Sequence, residues 1–249
     1  MADPLLRAVV VREDVRAPDR WPWTVPVLRS LERLELHPGV TFLVGENGTG
    51  KSTLVEGIAV AAGFPPEGGS LAFGAHTRDE SAALAEGLRL DRGHRRPSTG
   101  FFLRAESFFN VATQIDRLEE EANESPLLPS LLASYGDVSL HERSHGEGFL
   151  ALALHRFGPN GLYVLDEPEA ALSPQSSLAL LRRMHDLVAA GSQFVIATHS
   201  PILMGFPDAW IYELSDCGAD RVEYDATDHV RLIRSFLVDR DRFLRELFS

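Results

Sequence analysis

The sequence is poor in cysteine. Cys217 is the only one in 249 residues, so no internal disulfide can form and no zinc cluster can be built from thiolates. That scarcity fits a reducing compartment. No apolar run approaches the ~20 residues a membrane helix requires. The start, M-A-D-P, is not basic, and the L-L-R after it does not open the long apolar stretch expected of a secretory leader. The expectation is a cytoplasmic protein with no direct membrane insertion. Positive charge is also scarce. Lys plus Arg number 24 against 36 Asp plus Glu, a net charge of −12, which argues against a surface that is a nucleic-acid footprint throughout. Internal repeats and low-complexity tracts are absent.

What remains is ordinary globular material, 44% hydrophobic and 24% charged, long enough to bury a sizeable core. Short apolar runs at residues 8–11, 40–44, 101–103, 162–165 and 194–198 read as strands. Helical patterns follow at 52–62 and 175–190, and residues 80–90 suggest another helix, with a loop over 92–100. Residues 209–214 and 221–224 look like a hairpin. The tail from Asp228 to Phe248 reads as helical, with Arg231, Arg234, Arg240, Arg242 and Arg245 facing water. Buried strands alternating with helices indicate an α/β sheet. Residues of about 64–144 break that rhythm and read as a mainly helical insertion in a single domain spanning 1–249.

Gly45-Glu46-Asn47-Gly48-Thr49-Gly50-Lys51-Ser52 matches G-x-x-x-x-G-K-[ST], with a strand before it and a helix after it. Glycines let backbone N–H groups approach phosphate oxygens, and the helix aims its positive end at the same anion. Lys51 would neutralise the β- and γ-phosphates, Ser52 would place its hydroxyl on magnesium, and Thr53 adds a hydroxyl near the α-phosphate. Asp166 and Glu167 end an apolar strand. After a phosphate loop, Asp166 is expected on the magnesium, and Glu167 beside the γ-phosphate as the group that orients or deprotonates water. A solvated acidic turn is the plainer reading of that pair. His199 ends the next strong strand, at the sheet edge where α/β ligands bind, and a neutral imidazole there can contact the γ-phosphate. A structural histidine is the alternative.

Residues 143–148, R-S-H-G-E-G, precede another apolar run. Ser144-His145-Gly146-Glu147 has the S-x-x-E form of a capping box. A capped helix start also presents free N–H groups to an anion.

In this order the motifs resemble the ATP-binding-cassette (ABC) class of ATPases. Residues 45–53 are similar to its Walker A motif, residues 162–167 to Walker B, and His199 to its switch histidine. Residues 144–147 stand where the L-S-G-G-Q signature falls. Asp166-Glu167-Pro168-Glu169-Ala170-Ala171-Leu172-Ser173-Pro174 resembles the D-E-P-E-x-x-L-[HS]-P of the soluble branch that includes RecF, the structural-maintenance-of-chromosomes proteins and the overcoming-lysogenization-defect nucleases. Small stand-alone bacterial AAA-type ATPases are similar over nearly the whole chain, the F-F-L-R-A-E-S-F-F segment included. The resemblance implies an α/β P-loop NTPase fold with a central mixed sheet, an antiparallel β edge and a helical insertion. It implies ATP and Mg2+ as ligands, and a homodimer sandwiching two ATP molecules. Ser144, Gly146 and Glu147 would then meet the nucleotide held by the opposite subunit.

Some positions depart from the pattern. His145 and Glu147 replace the usual signature Gly and Gln. No glutamine follows Phe101-Phe102-Leu103, and Glu106 is the nearest substitute. Ser173 stands where transporters carry an aspartate. Trp21 or Trp23 is a candidate adenine-stacking aromatic, with an ordinary hydrophobic anchor as the alternative reading. The expected activity is a Mg-dependent ATPase that drives a conformational switch in an unknown protein partner. Alternatives are a DNA-associated repair or defence-type ATPase, with Arg89, Arg92, Arg95 and Arg96 as its basic cluster, the nucleotide-binding subunit of a transporter, or a nucleotide-gated protein that scarcely turns over.

Overall fold

A computed structural model describes residues 3–17, 19–70, 79–106, 108, 113 and 145–249. Two sheets carry the fold. The larger has seven strands: β3 (Val40–Val44), β4 (Gly69–Ser70), β6 (Thr99–Arg104), β7 (Gly161–Asp166), β8 (Gln193–Ala197), β9 (Trp210–Ser215) and β10 (Gly218–Val222). Their spatial order is β10-β9-β3-β8-β7-β6-β4. The five inner strands are parallel, and β10 and β4 close the edges in antiparallel sense. The smaller sheet is antiparallel, with β1 (Leu6–Val11) between β2 (Arg33–Glu35) and β5 (Leu88–Arg92).

The inner strands are apolar along their length because helices or the second sheet cover both faces. Side-chain alternation then splits each strand between two cores. Phe42, Tyr163, Leu165, Phe194 and Ile196 face one side. Leu43, Leu162, Val164, Val195 and Ala197 face the other, with Val9, Trp23, Leu54 and Ile58. Gln193 joins the two sheets. Its side chain accepts from the Leu6 N–H at 2.8 Å and donates to the Leu6 and His37 carbonyls, each at 2.8 Å.

The helices are α1 (Pro26–Ser30), α2 (Lys51–Ala62), α3 (Asp79–Glu86), α4 (His145–Arg156), α5 (Pro174–Ala189), α6 (Pro201–Met204), α7 (Asp228–Val238) and α8 (Arg240–Leu247). Helix α5 buries Ser177, Leu180, Met184 and Leu187, a stripe at helical spacing. Ser173 caps it, its hydroxyl accepting from the Ser176 N–H at 3.1 Å. Ser173→Ala should therefore cost about 1 kcal/mol of stability, which chemical denaturation measures.

Two element boundaries differ from the sequence reading. Residues 80–90 do not form one helix: α3 stops at Glu86, and residues 88–92 are the edge strand β5 paired with β1. Between them, Gly87 leaves no room for a side chain against the Trp23 ring. The tail is two helices, broken at Asp239, whose side chain accepts from the Arg242 N–H to start α8. Its five arginines are exposed as expected, but Leu232, Leu237, Val238, Leu247 and Phe248 are exposed beside them. Of the segment expected as an insertion, the described part supplies α3 together with β4, β5 and β6; residues 114–144 lie outside the described residues. Among the described residues no helix is long and apolar enough to cross a membrane.

Candidate functional site

Four neighbouring parallel strands, β3, β8, β7 and β6, end on one edge of the large sheet. The register sets Leu43 beside Ala197, Ala197 beside Asp166 and Asp166 beside Arg104. The phosphate loop leaves β3, the carboxylate pair leaves β7 and His199 follows β8. Residues distant in sequence are thus delivered to one place.

The loop is shaped by close backbone approaches. Gly45 has φ of +141°, and a Cβ there would sit 2.5 Å from the Leu214 carbonyl oxygen. Gly50 caps α2 from the left-handed region. Lys51, the single lysine of the sequence, is buried. Its ammonium donates to the Gly45 and Glu46 carbonyls, each at 2.9 Å. Burial pulls its pKa below the ordinary lysine value, and Glu167, Asp166 and Glu169 oppose that shift. The Thr49 hydroxyl donates to the Glu46 carbonyl at 2.9 Å. Asn47, Gly48, Gly50, Lys51, Ser52, Thr53 and Glu167 line a cleft of about 230 Å³, walled on its other side by Val25 and Pro26.

Asp166 is buried, and burial pushes its carboxyl up to about 6 from 3.8. The Arg104 guanidinium and a hydrogen bond with Ser52 work in the opposite direction. Its Oδ1 has no hydrogen-bond partner among the described residues. Arg104 reaches Asp166 Oδ2 at 3.5 Å and Glu56 Oε2 at 3.0 Å, tying α2 to the ends of β6 and β7. A carboxyl held above its unfolded value opposes folding once the pH exceeds that higher value, and the penalty fades as pH falls toward 4. Asp166→Asn should therefore stabilise the nucleotide-free protein at pH 7, raising its melting temperature by a few degrees, with the difference shrinking near pH 4. A melting series from pH 4 to 7.5 without magnesium measures it.

Glu167 sits at φ +48°, ψ +50°, a backbone region that is strained for a side chain of this size. Its N–H is fixed to the Ala197 carbonyl at 2.9 Å. The side chain is half-exposed, and its Oε1 lies 3.6 Å from His199 Nε2. His199 is lowered in pKa by burial first and then by the charges of Lys51 and His229, with Glu167 opposing. Its backbone N–H donates to Glu169 Oε1, and Glu169 is itself raised by burial. The ring Nδ1 is 2.8 Å from His229 Nε2. The arrangement can cradle phosphate oxygens, hold a divalent cation between Ser52 and Asp166, and place a carboxylate and an imidazole at the mouth of the same cleft.

The other expected residues are distributed unevenly. Ser144 lies outside the described residues. Helix α4 begins at His145, one residue after the expected cap. A Cβ at Gly146 would lie 2.5 Å from the Ala171 carbonyl oxygen, so the turn packs against the segment that follows the carboxylate pair. Glu147 is exposed on the first turn. Glu106 is exposed beyond the end of β6, and Arg104 is the β6 residue that reaches Asp166. Trp23 is 4% exposed, packed in the core, while Trp21 is exposed; neither lines the cleft. In the basic cluster, Arg92 donates to the Ala61 carbonyl at 3.2 Å, and Arg95 donates to Asn160 Oδ1 and the Gly191 carbonyl. The sequence reading assigned no role to Arg104, Glu169 or His229. Glu169 carried a usable signal, being a further carboxylate just past the end of an apolar strand.

The family model described as "AAA domain, putative AbiEii toxin, Type IV TA system" matches residues 113–205, and one described as "AAA domain" matches residues 27–125. Macrolide export ATP-binding/permease protein MacB of Burkholderia lata is 31% identical over 210 residues, 80% of this chain and 30% of that protein. Ribose import ATP-binding protein RbsA of Shigella dysenteriae is 28% identical over 194 residues, 70% of this chain and 35% of that protein. The chain thus spans about a third of the length of these curated relatives. Among solved structures, the SMC head domain from Thermotoga maritima is 15% identical with a TM-score of 0.44, covering 87% of this chain and 98% of that one. The cbiO1 subunit from Clostridium perfringens is 14% identical with a TM-score of 0.49, covering 100% of both. With its phosphate loop, paired carboxylates and mixed sheet, the chain is a P-loop protein that matches AAA-type domains and is similar to ABC-class ATP-binding proteins.

Proposed function

We propose that the chain is one Mg-dependent ATPase domain, with residues of about 64–144 as an insertion, that closes on ATP as a homodimer and reopens after hydrolysis. The convergence of Lys51, Ser52, Asp166, Glu167 and His199 at one sheet edge carries this reading. The donor set suits magnesium, which takes one or two protein oxygens and leaves the rest to phosphate and water. The Ser52 hydroxyl and the Asp166 carboxylate, whose Oδ1 has no partner among the described residues, would hold it. The ion supplies charge neutralisation at the β- and γ-phosphates.

The backbone N–H groups of residues 45–53 bind the phosphates, and Lys51 exchanges its carbonyl partners for their oxygens. Glu167 orients a water and accepts its proton as the water oxygen bonds to the γ-phosphorus. The bond to the β–γ bridging oxygen breaks, and ADP and phosphate leave. His199 donates to the γ-phosphate through Nε2. Gly146 and Glu147 are outside the lining of this chain's own phosphate cleft; with Ser144, they would act on a nucleotide held by a second copy. The motion would be passed to a protein partner.

Sizing of the Glu167→Gln protein with and without Mg-ATP tests the dimer. A monomer at saturating nucleotide sinks it. A second reading, a transporter's nucleotide-binding subunit, is favoured by the similarity to export and import ATP-binding proteins. Copurification with an integral membrane protein would select it. DNA association is less well supported, because Arg92 and Arg95 spend their N–H groups on the chain's own oxygens.

A further inference from the structure

We infer that His229, near the start of α7, is a positioning residue for His199: its Nε2–H donates to His199 Nδ1 and so commits His199 to the tautomer that presents Nε2–H to the γ-phosphate. This rests on the ATPase reading above and adds a residue thirty positions downstream of His199.

The contact is close, Nδ1 to Nε2 at 2.8 Å, with ring centroids 4.8 Å apart. One of the two nitrogens must carry the proton, and the distal nitrogens decide which. His199 Nε2 and His229 Nδ1 are both buried and have no hydrogen-bond partner among the described residues. His199 Nε2 faces Glu167 Oε1 at 3.6 Å. A proton on His199 Nε2 points toward that carboxylate, whereas a lone pair there would oppose it. His229 Nδ1 must then be either an unpaired acceptor or an unpaired donor. A buried acceptor without a partner is tolerated better than a buried donor without one. Both ends select the same arrangement, from His229 Nε2–H to His199 Nδ1 and from His199 Nε2–H into the site.

Both rings sit on tethered backbone. The Thr198 hydroxyl accepts from the Ser200 N–H at 3.0 Å. The Tyr224 hydroxyl donates to the Pro201 carbonyl at 3.0 Å, and the buried Thr227 donates to the Tyr224 carbonyl at 2.9 Å. The segment after β8 and the start of α7 are therefore braced against each other independently of the imidazole contact. His229 also lines a second cleft of about 500 Å³, together with Gly45 and Glu46 of the phosphate loop and Phe243 of α8. The C-terminal helices thus share a cleft with the phosphate loop.

The test has two arms. In the first, 15N chemical shifts of the imidazoles, assigned with His199→Ala and His229→Ala, report the tautomers in the full-length protein. The proposal expects His199 protonated on Nε2, with that preference lost in His229→Ala. A His199 protonated on Nδ1, or a preference unchanged in His229→Ala, overturns it. In the second, His229→Ala should lower kcat about tenfold with ATP affinity unchanged, and His229→Gln, whose amide N–H can reach the same place, should recover much of it. The double variant His199→Ala/His229→Ala should fall no further than His199→Ala alone, because the two act as a unit. Additive losses, or a parallel loss of affinity and melting temperature in both His229 variants, would overturn the proposal in favour of a packing role. Failure of the ATPase reading itself shows differently, as a wild-type protein whose phosphate release is insensitive to Glu167→Gln.

Discussion

Glu167→Gln lowers the turnover of ATP by roughly 10²- to 10⁴-fold while ATP still binds. The amide has the shape of the carboxylate but cannot take a proton from water. Because the replacement is nearly isosteric, the backbone at φ +48° and its tie to the Ala197 carbonyl remain as they are. The effect should therefore fall on kcat. Phosphate release under steady-state conditions, set beside an ATP titration, separates the two quantities. Turnover equal to wild type would mean that another group accepts the proton, and the assignment of Glu167 would be abandoned.

Lys51→Met weakens ATP binding by about 30-fold or more, the equivalent of losing at least ~2 kcal/mol from a buried charged pair. The thioether can fill the space along the stem of the lysine but leaves the triphosphate without its cation. In the nucleotide-free protein the ammonium is already held by the Gly45 and Glu46 carbonyls, so the charge is in place before the ligand arrives. Those carbonyls also lose a donor in the variant, and melting curves are needed to separate loop damage from lost attraction. Calorimetric titration with a non-hydrolysable ATP analogue measures the affinity. Unchanged affinity in a protein that melts normally would remove Lys51 from the phosphate site.

The strands of the site were easy to read because parallel strands buried on both faces are continuous apolar runs. Val40–Val44, Leu162–Leu165 and Phe194–Ala197 stand out for that reason, and the polar residues after them mark the sheet edge. The split of residues 80–90 was not legible. Leu84 and Leu88 also fit one helical face, and only pairing with β1 makes Leu88–Arg92 a strand. Arg104 was hidden by its setting: an arginine after F-F-L looks like a solvated strand end until the register places it opposite Asp166. His229 had no local signal at all. Its role depends on meeting His199 across two turns of tertiary structure, and a lone histidine on an amphipathic helix looks the same whether it meets a partner or water. Ser173 shows the converse, since its position invites a catalytic comparison and its hydroxyl is spent on capping α5.

The sequence holds a single lysine, and that lysine is in the phosphate loop. Amine-directed labelling of an internal peptide therefore reports on one nitrogen, which is shielded at rest by two carbonyl oxygens and would be shielded further by a bound triphosphate. The extent of acylation becomes a direct gauge of occupancy, readable by mass without any engineered tag or coupled enzyme.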